Sequence, residues 1–107
     1  MCKLKNATKL IDEFNELKIK FPIIFYFHQS HIHYLIMLNC LANSKHSYEF
    51  FFELLTPKYC SRNTVKTVIS DAIFKGYLYV EKDVVDKRNT HVFPSEDLIT
   101  EFKNFAA

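Results

Sequence analysis

The stretch of sequence that decides the fold runs from Ser61 to Phe93 and reads SRNTVKTVISDAIFKGYLYVEKDVVDKRNTHVF. Apolar residues recur every three or four positions as far as Lys75, which predicts an amphipathic helix. Gly76, the only glycine of the chain, follows where a left-handed residue commonly ends a helix. Alternation from Tyr77 to Asp83 predicts a strand, with Thr90 to Phe93 as its partner. We therefore expect a helix that leads directly into a two-stranded hairpin.

Further helices are predicted on both sides of this segment. Ser30, Ser47 and Ser61 stand where a serine side chain can cap a first helical turn, and Pro94-Ser95 precedes the last helix. Phe21 to Phe27 is apolar but short, so a buried strand and a helical turn both remain open. The predicted helices are Ala7 to Lys20, His31 to Ala42, Tyr48 to Leu55, Ser61 to Lys75 and Glu96 to Phe105. The order α-α-α-α-β-β-α is mainly helical with a small β-hairpin, as in a winged helix-turn-helix domain.

The composition excludes several classes of protein. The 107 residues include eleven Phe and six Tyr, which suffice for the core of one domain. One glycine leaves no glycine-rich phosphate loop, and no nucleophile elbow is present, so we expect neither an enzyme nor a cofactor. Three cysteines without a CxxC pair favour a reduced, cytoplasmic setting. The longest apolar run is far below the roughly 20 residues that span a bilayer, so no membrane partner is expected.

The basic charge is concentrated in the helix–hairpin segment. Residues 58–93 contain seven basic and four acidic side chains, a net charge of +3, whereas the whole chain carries +2. A local positive excess of this size favours a polyanionic partner and predicts moderate, salt-sensitive binding to duplex DNA.

The polar side of the 61–75 helix carries side chains that can read bases. Asn pairs bidentately with adenine, Thr offers a methyl group to thymine, and Lys reaches guanine or phosphate. Phe74 projects to the same side, and it either tucks under the hairpin or belongs to a protein interface. The alternative for the whole helix is an ordinary amphipathic surface helix. The candidate DNA contacts on the helix are Ser61, Arg62, Asn63, Lys66, Thr67 and Ser70.

These features together resemble the MarR-type winged-helix regulators, the multiple antibiotic resistance regulators. The matching pieces are Ser61 to Lys75, Gly76, Tyr77 to Val80, Asp86-Lys87-Arg88, His91 to Phe93 and Ser95. The resemblance covers roughly residues 30–105 and implies a recognition helix in the major groove and a basic wing over residues 81–90. It also implies that Lys87 and Arg88 bind DNA, with Asp86 orienting Arg88 for a narrow minor groove. The alternative for this tip is a solvated charged turn.

The N-terminal helix is the expected dimer contact. Members of the resembled family usually build their dimer from long terminal helices, and here little chain follows the wing. We therefore expect residues 1–29 to form an N-terminal helix and connecting segment used in homodimerisation, and residues 30–107 to form the winged-helix domain. The apolar stripe that a partner copy would cover consists of Leu10, Ile11, Phe14 and Leu17.

Two further groups of residues have a chemical and a structural interpretation. His28, His31 and His33 are close in sequence, but no carboxylate or cysteine completes a known ligand spacing, so we expect no metal site. Cys60 precedes the recognition helix beside Lys58. It is either a redox-sensitive thiol or an inert structural one.

The sequence thus predicts a DNA-binding transcriptional regulator that acts as a homodimer and leaves room for a small-molecule effector. The alternative is a winged-helix module for protein–protein contact, such as an adaptor or anti-regulator, that does not bind DNA.

Overall fold

The structure, a computed structural model, describes residues 2–42, 46–82, 85 and 90–106, with the backbone alone for residues 2–5. The predicted fold class is confirmed, since the chain is mainly helical and carries a small antiparallel sheet. The elements in chain order are α1 (Cys2–Lys20), α2 (Pro22–Phe27), α3 (His31–Ala42), β1 (His46–Ser47), α4 (Tyr48–Leu55), α5 (Arg62–Phe74), β2 (Leu78–Lys82), β3 (Thr90–Pro94) and α6 (Glu96–Ala106).

Serine side chains open four of these helices. Ser47 Oγ accepts a hydrogen bond from the Phe50 amide at 3.2 Å, and Ser61 Oγ accepts one from the Thr64 amide at 3.2 Å. The hydroxyls of Ser30 and Ser95 accept equivalent bonds from amides three residues later, both at 3.1 Å. Each bond satisfies a donor that the first helical turn leaves unpaired. The predicted starts of α3, α4, α5 and α6 are therefore confirmed.

The apolar segment left open by the sequence is the helix α2. Its N-cap residue, Phe21, has no side chain that could cap it. Instead, Glu101 of α6 supplies a carboxylate oxygen 2.7 Å from the Ile24 amide. A carboxylate at a helix N-terminus also complements the positive end of the helix dipole. This short helix is thus stabilised by a residue far along the chain.

One strand was missed and one helix begins earlier than predicted. His46 and Ser47 lie between the helices predicted over His31 to Ala42 and Tyr48 to Leu55, where no strand was predicted. His46 pairs with Val92 in a third strand, and Ser47 pairs with His91. The sheet order is β1-β3-β2. Two residues are too few to show an alternating pattern, so the sequence carried no signal for β1. The first helix begins at Cys2 rather than at Ala7.

The turn after α5 follows the sequence prediction closely. Gly76 has a φ of +82°, and the Tyr77 amide donates to the Ala72 carbonyl at 2.9 Å. This left-handed glycine turns the chain from α5 into β2, which pairs with β3 from Leu78↔Pro94 to Lys82↔Thr90. The helix α5 and the hairpin are thereby joined by a three-residue turn, residues 75–77.

The core lies between α2, α3, α4, α5, α6 and the inner side of the sheet. Its largest fully buried side chains include Phe27, Phe51, Ile69 and Leu98. Ile24 and Phe27 belong to this core although they precede residue 30, so α2 packs as part of the winged helix. The division of the chain at residue 29 stays a prediction. None of the helices in the described residues is long and apolar enough to cross a bilayer.

Candidate nucleic-acid interface

The helix α5, the candidate recognition helix, has one buried and one open side. Val65, Val68, Ile69 and Ala72 are buried, and Ile73 is half-buried. This is the stripe that the spacing predicted. Because the apolar stripe faces the core, the opposite side of the helix faces solvent.

The candidate base-reading residues share the open side. Asn63, Thr67 and Ser70 lie along one line of the helix surface, since residues three and four apart are neighbours on a helix. The candidate contacts on α5 and its cap are all exposed: Ser61, Arg62, Asn63, Lys66, Thr67 and Ser70. The geometry therefore presents two hydroxyls and an amide in a row, with cations on a flank.

The two cations on that flank rest on an aromatic ring from α4. The Arg62 guanidinium carbon lies 4.8 Å from the ring centroid of Phe52, and Lys66 Nζ lies 5.9 Å from it. Both distances are in the range of cation–π attraction. Glu49, one turn earlier on α4, reaches Arg62 at 3.9 Å. Sequence reasoning missed Phe52 and Glu49, since only the packing of α4 against α5 brings them here.

The other flank of α5 is held by α2. The Tyr26 hydroxyl donates to Asp71 Oδ2 at 2.5 Å, and Lys75 Nζ lies 5.6 Å from the centre of the Tyr26 ring. Burial, and then the hydrogen bond to Asp71, raise the pKa of Tyr26, so its hydroxyl stays a donor throughout the physiological pH range. A helical wheel places Asp71 and Lys75 on one flank, but nothing in the sequence indicates Tyr26 as their partner.

Phe74 stands out on the open side. Its side chain is 90% exposed, so it does not tuck under the hairpin. It continues the line of Thr67 and Ser70 towards the end of α5. A contiguous patch of exposed apolar side chains indicates a contact surface for another molecule. A single exposed Phe is a weaker indication of such a contact.

The wing is described only at its base. Glu81 and Lys82 are exposed at the end of β2, and Tyr79 stacks on Phe93 across the sheet at 5.2 Å. The three tip residues singled out from the sequence, Asp86, Lys87 and Arg88, lie outside the described residues.

The histidines lie near the start of α3 but form no ligand cluster. His33 Nδ1 is 2.6 Å from Ser30 Oγ, His28 Nδ1 is 2.8 Å from the Ile24 carbonyl, and His31 is exposed. Within residues 2–42, 46–82, 85 and 90–106, no three His, Cys, Asp or Glu side chains are placed to hold a metal ion.

The two cysteines whose side chains are described favour the thiol over the thiolate. Burial raises the pKa of Cys40 to about 12, and burial also raises that of Cys60. A raised pKa lowers the fraction of reactive thiolate. The structural interpretation of Cys60 is therefore favoured over the redox one.

A cavity of about 750 Å³ opens between α3 and α6. Leu38 and Leu41 line one side, and Ile99 and Phe102 line the other. Among the described residues of this lining, Lys103 is the charged one. The volume lies in the range of ligand sites, and the lining suits an apolar molecule.

Most of the stripe on α1 is left exposed by the residues that the structure describes. Leu10, Ile11 and Phe14 are 64%, 59% and 54% exposed, and Leu17 is half-buried. At the inner edge of the stripe, the Phe14 ring packs against that of Phe25 with 4.8 Å between the ring centroids.

Solved structures with the same architecture provide the comparison. The MepR–DNA complex of S. aureus superposes with a TM-score of 0.69 over 99% of this chain and 81% of that one, at 11% identity. This chain has the fold of the MarR-type winged helices. Apo MarR from E. coli matches at a TM-score of 0.61 and 11% identity, over 91% of this chain and 71% of MarR.

A third MarR-type structure, NadR in complex with 4-hydroxyphenylacetate, matches at a TM-score of 0.63 and 13% identity, over 92% and 69% of the two chains. No protein-family model matches the sequence, and no curated protein matches it. The likeness to the MarR-type winged helix is thus one of fold.

Proposed function

We propose that this protein is a duplex DNA-binding transcriptional regulator that places α5 in the major groove and its wing, residues 81–90, against the flanking DNA. The observation that carries the proposal is the exposed row of Asn63, Thr67 and Ser70 on a helix whose other side is buried. An α-helix fits the major groove, and these side chain types pair with base edges there. That two MarR-type neighbours, MepR and AbfR, are DNA complexes supports the proposal.

The flank cations supply the contacts to the DNA backbone. We call the row of Asn63, Thr67 and Ser70 the reading row. Arg62 and Lys66 pack on the Phe52 ring beside it, at the edge of the groove where the DNA phosphates lie in this proposal. Contacts to phosphate set the register and the affinity but carry little sequence information. Lys87 and Arg88 are proposed to add such contacts from the wing, with Asp86 orienting Arg88.

The first test is binding-site selection from random duplexes. Asn63→Ala and Thr67→Ala should each flatten base preference at particular positions, by about 1–3 kcal/mol per lost contact, and leave non-specific binding nearly intact. Lys66→Ala should weaken binding to all sequences alike. If the wild type selects no motif, or both mutants select it with equal sharpness, α5 is not the reader.

The wing is tested separately through the salt dependence. Arg88→Ala should lower affinity for all duplexes and reduce the slope of log K against log salt by about one unit. Asp86→Ala should act in the same direction but more weakly. An unchanged affinity of folded Arg88→Ala would rule out this contact.

A homodimer built through α1 is part of the proposal. The exposed stripe of Leu10, Ile11 and Phe14 lacks cover within the chain, and a second copy offers the same stripe in a self-complementary, two-fold arrangement. Two copies with their α5 helices about 34 Å apart would match successive major grooves. A dimer would also bind a paired site more tightly than one copy binds a single site, because the second copy binds at a high effective concentration.

The cavity between α3 and α6 is the proposed effector site. Its apolar lining and Lys103 suit a small organic acid with an apolar body. That the neighbour NadR binds 4-hydroxyphenylacetate supports this class of ligand. As a probe, 4-hydroxyphenylacetate should shift the DNA affinity of the wild type but act more weakly on Lys103→Met. No shift at millimolar concentration would rule out this chemistry for the cavity.

The second candidate function, a protein-interaction module, is favoured by Phe74 alone. A large apolar side chain that is 90% exposed on the DNA-facing side is suited to a protein surface. Titration with mixed genomic DNA at increasing salt separates the two functions. A regulator binds DNA at low salt and loses it steeply, whereas an interaction module binds little at any salt.

A further inference from the structure

The recognition helix is held on both flanks by aromatic side chains of neighbouring helices. On one flank, Phe52 of α4 lies under Arg62 and Lys66, in the first half of α5. On the other flank, Tyr26 of α2 contacts the second half. The reading row lies between the two flanks. The roll of α5 about its own axis therefore depends on both.

The two supports differ in chemistry. Phe52 is buried and acts through its ring, so it belongs to the core as much as to the interface. Tyr26 is half-buried and adds a directional hydrogen bond to Asp71 at 2.5 Å. A hydrogen bond to a carboxylate is shorter and stronger than one between neutral groups. Tyr26 can therefore be changed without opening the core, which makes its role separable from folding.

Tyr26 also contacts the first residue beyond the glycine turn. Its ring meets that of Tyr77 edge-on at 5.0 Å and that of His33 at 5.7 Å. The Tyr77 carbonyl in turn accepts a hydrogen bond from the Ser95 amide at 3.0 Å, just before α6. One side chain of α2 thus contacts α3, α5 and the start of the hairpin.

We propose that Tyr26 is a positioning residue for DNA reading, which fixes the roll of α5 through Asp71 and sets the angle between α5 and the wing through Tyr77. This inference rests on the proposed function, because it concerns how sharply α5 reads bases. Bidentate pairing with a base tolerates little rotation of the helix. A small change of roll therefore weakens discrimination between bases before it weakens binding to the DNA phosphates.

The hydrogen bond has a second consequence for Asp71. An acidic group on a DNA-binding helix repels phosphate, and here its carboxylate is bound to Tyr26 on the flank that faces α2. Lys75, above the same ring, adds a compensating charge. Loss of the hydroxyl therefore releases both the helix and the carboxylate.

The test compares Tyr26→Phe with Tyr34→Phe, a matched change on α3 whose ring contacts His28 instead. The selectivity ratio is the affinity for the selected duplex divided by that for a scrambled one, measured where unfolding curves show both variants folded. Tyr26→Phe should lower this ratio about three- to tenfold, the effect of one net hydrogen bond, and Tyr34→Phe should leave it unchanged. A Tyr26 with a purely structural role would lower stability without changing selectivity.

Asp71→Ala is the second variant, and together with Tyr26→Phe it forms a double-mutant cycle. It should flatten selectivity as Tyr26→Phe does, and the double variant should be no flatter than either single one, since both remove the same bond. If the wild type selects a motif and Tyr26→Phe selects it with equal sharpness, or if the two effects add, the inference is overturned while the DNA-binding function stands. If the wild type selects no motif, both are overturned.

Discussion

The helices α1 and α5 have similar patterns and opposite environments. Each has an apolar stripe at helical spacing and polar residues elsewhere. The stripe of α5 is buried by α3, α4 and the sheet, whereas Leu10, Ile11 and Phe14 of α1 are more than half exposed. An amphipathic pattern thus predicts that one face of a helix is buried, but it does not predict which surface buries that face. In α5 the burial frees the polar side for a ligand, and in α1 the exposed stripe is itself available for a partner.

The largest expected effect contrasts one apolar residue from each stripe. Ile69→Ala, in the fully buried stripe of α5, should lower the free energy of unfolding by about 2–5 kcal/mol. Leu10→Ala, 64% exposed on α1, should change it by less than about 0.5 kcal/mol in dilute protein. Urea unfolding at two protein concentrations measures both.

The concentration dependence sharpens this contrast. The cost of Ile69→Ala should be the same at both concentrations, and a cost of Leu10→Ala should appear only in the concentrated sample, where a dimer forms. If Leu10→Ala lowered the free energy of unfolding as much as Ile69→Ala in dilute protein, the α1 stripe would be buried within one chain.

The next effect concerns self-association. Phe14→Asp should raise the dissociation constant of the dimer at least about tenfold, because it places a charge in an apolar contact. Ile19→Asp is the matched control, since Ile19 is 79% exposed but lies on the other side of α1. Sedimentation measures both variants. A wild type that stays monomeric at high micromolar concentration would end the proposal of a dimer through α1.

A smaller effect tests how α5 begins. Ser61→Ala should cost about 1 kcal/mol of stability, because the Thr64 amide loses its acceptor. Ser61→Asp should retain the cap. Ser70→Ala, exposed in the middle of α5, serves as the control and should cost nothing, since alanine is the better helix former there. Thermal unfolding in which Ser61→Ala matches Ser70→Ala would contradict the capping role.

The smallest effect concerns pH. Burial lowers the pKa of His33 from 6.5 against the opposing attraction of Asp71, so the folded protein binds a proton less readily than the unfolded chain. Stability should therefore fall as the pH drops through 6.5, where the unfolded chain takes up the proton first. Burial lowers the pKa of His46 as well and acts in the same direction.

The control for this pH effect is an exposed histidine on the same helix. His33→Gln should flatten the loss of stability between pH 7.5 and 5.5, and His31→Gln should not. Urea midpoints across this range give the comparison. A larger loss in His33→Gln than in the wild type would reverse the assigned sign.

The parts of the fold that the sequence predicted depend on neighbours within about four residues. Ser47 and Ser61 cap helices through amides three positions on, and Gly76 ends α5 because its backbone takes a positive φ. The candidate contacts on α5 were found in the same way, from spacing along one helix. Such signals survive in a single sequence because the partner residues are close in it.

The parts that were missed depend on residues far apart in the chain. The helix α2 is stabilised by Glu101 from α6, and β1 exists because His46 meets Val92. Phe52 and Tyr26 flank α5 only because α4 and α2 pack beside it. Residue type alone could not distinguish these two aromatics from the others of an aromatic-rich chain.

By itself, the sequence determined the starts of α3, α4, α5 and α6, the apolar stripe and the polar row of α5, and the glycine turn, because local backbone and side-chain interactions decide each of them. The tertiary structure alone decided which apolar stripe is buried and which is left exposed. It also decided which aromatic side chains support α5 and where the cavity opens between α3 and α6. The physical reason is that burial is a property of the assembled core, and a stripe cannot indicate which surface it will meet.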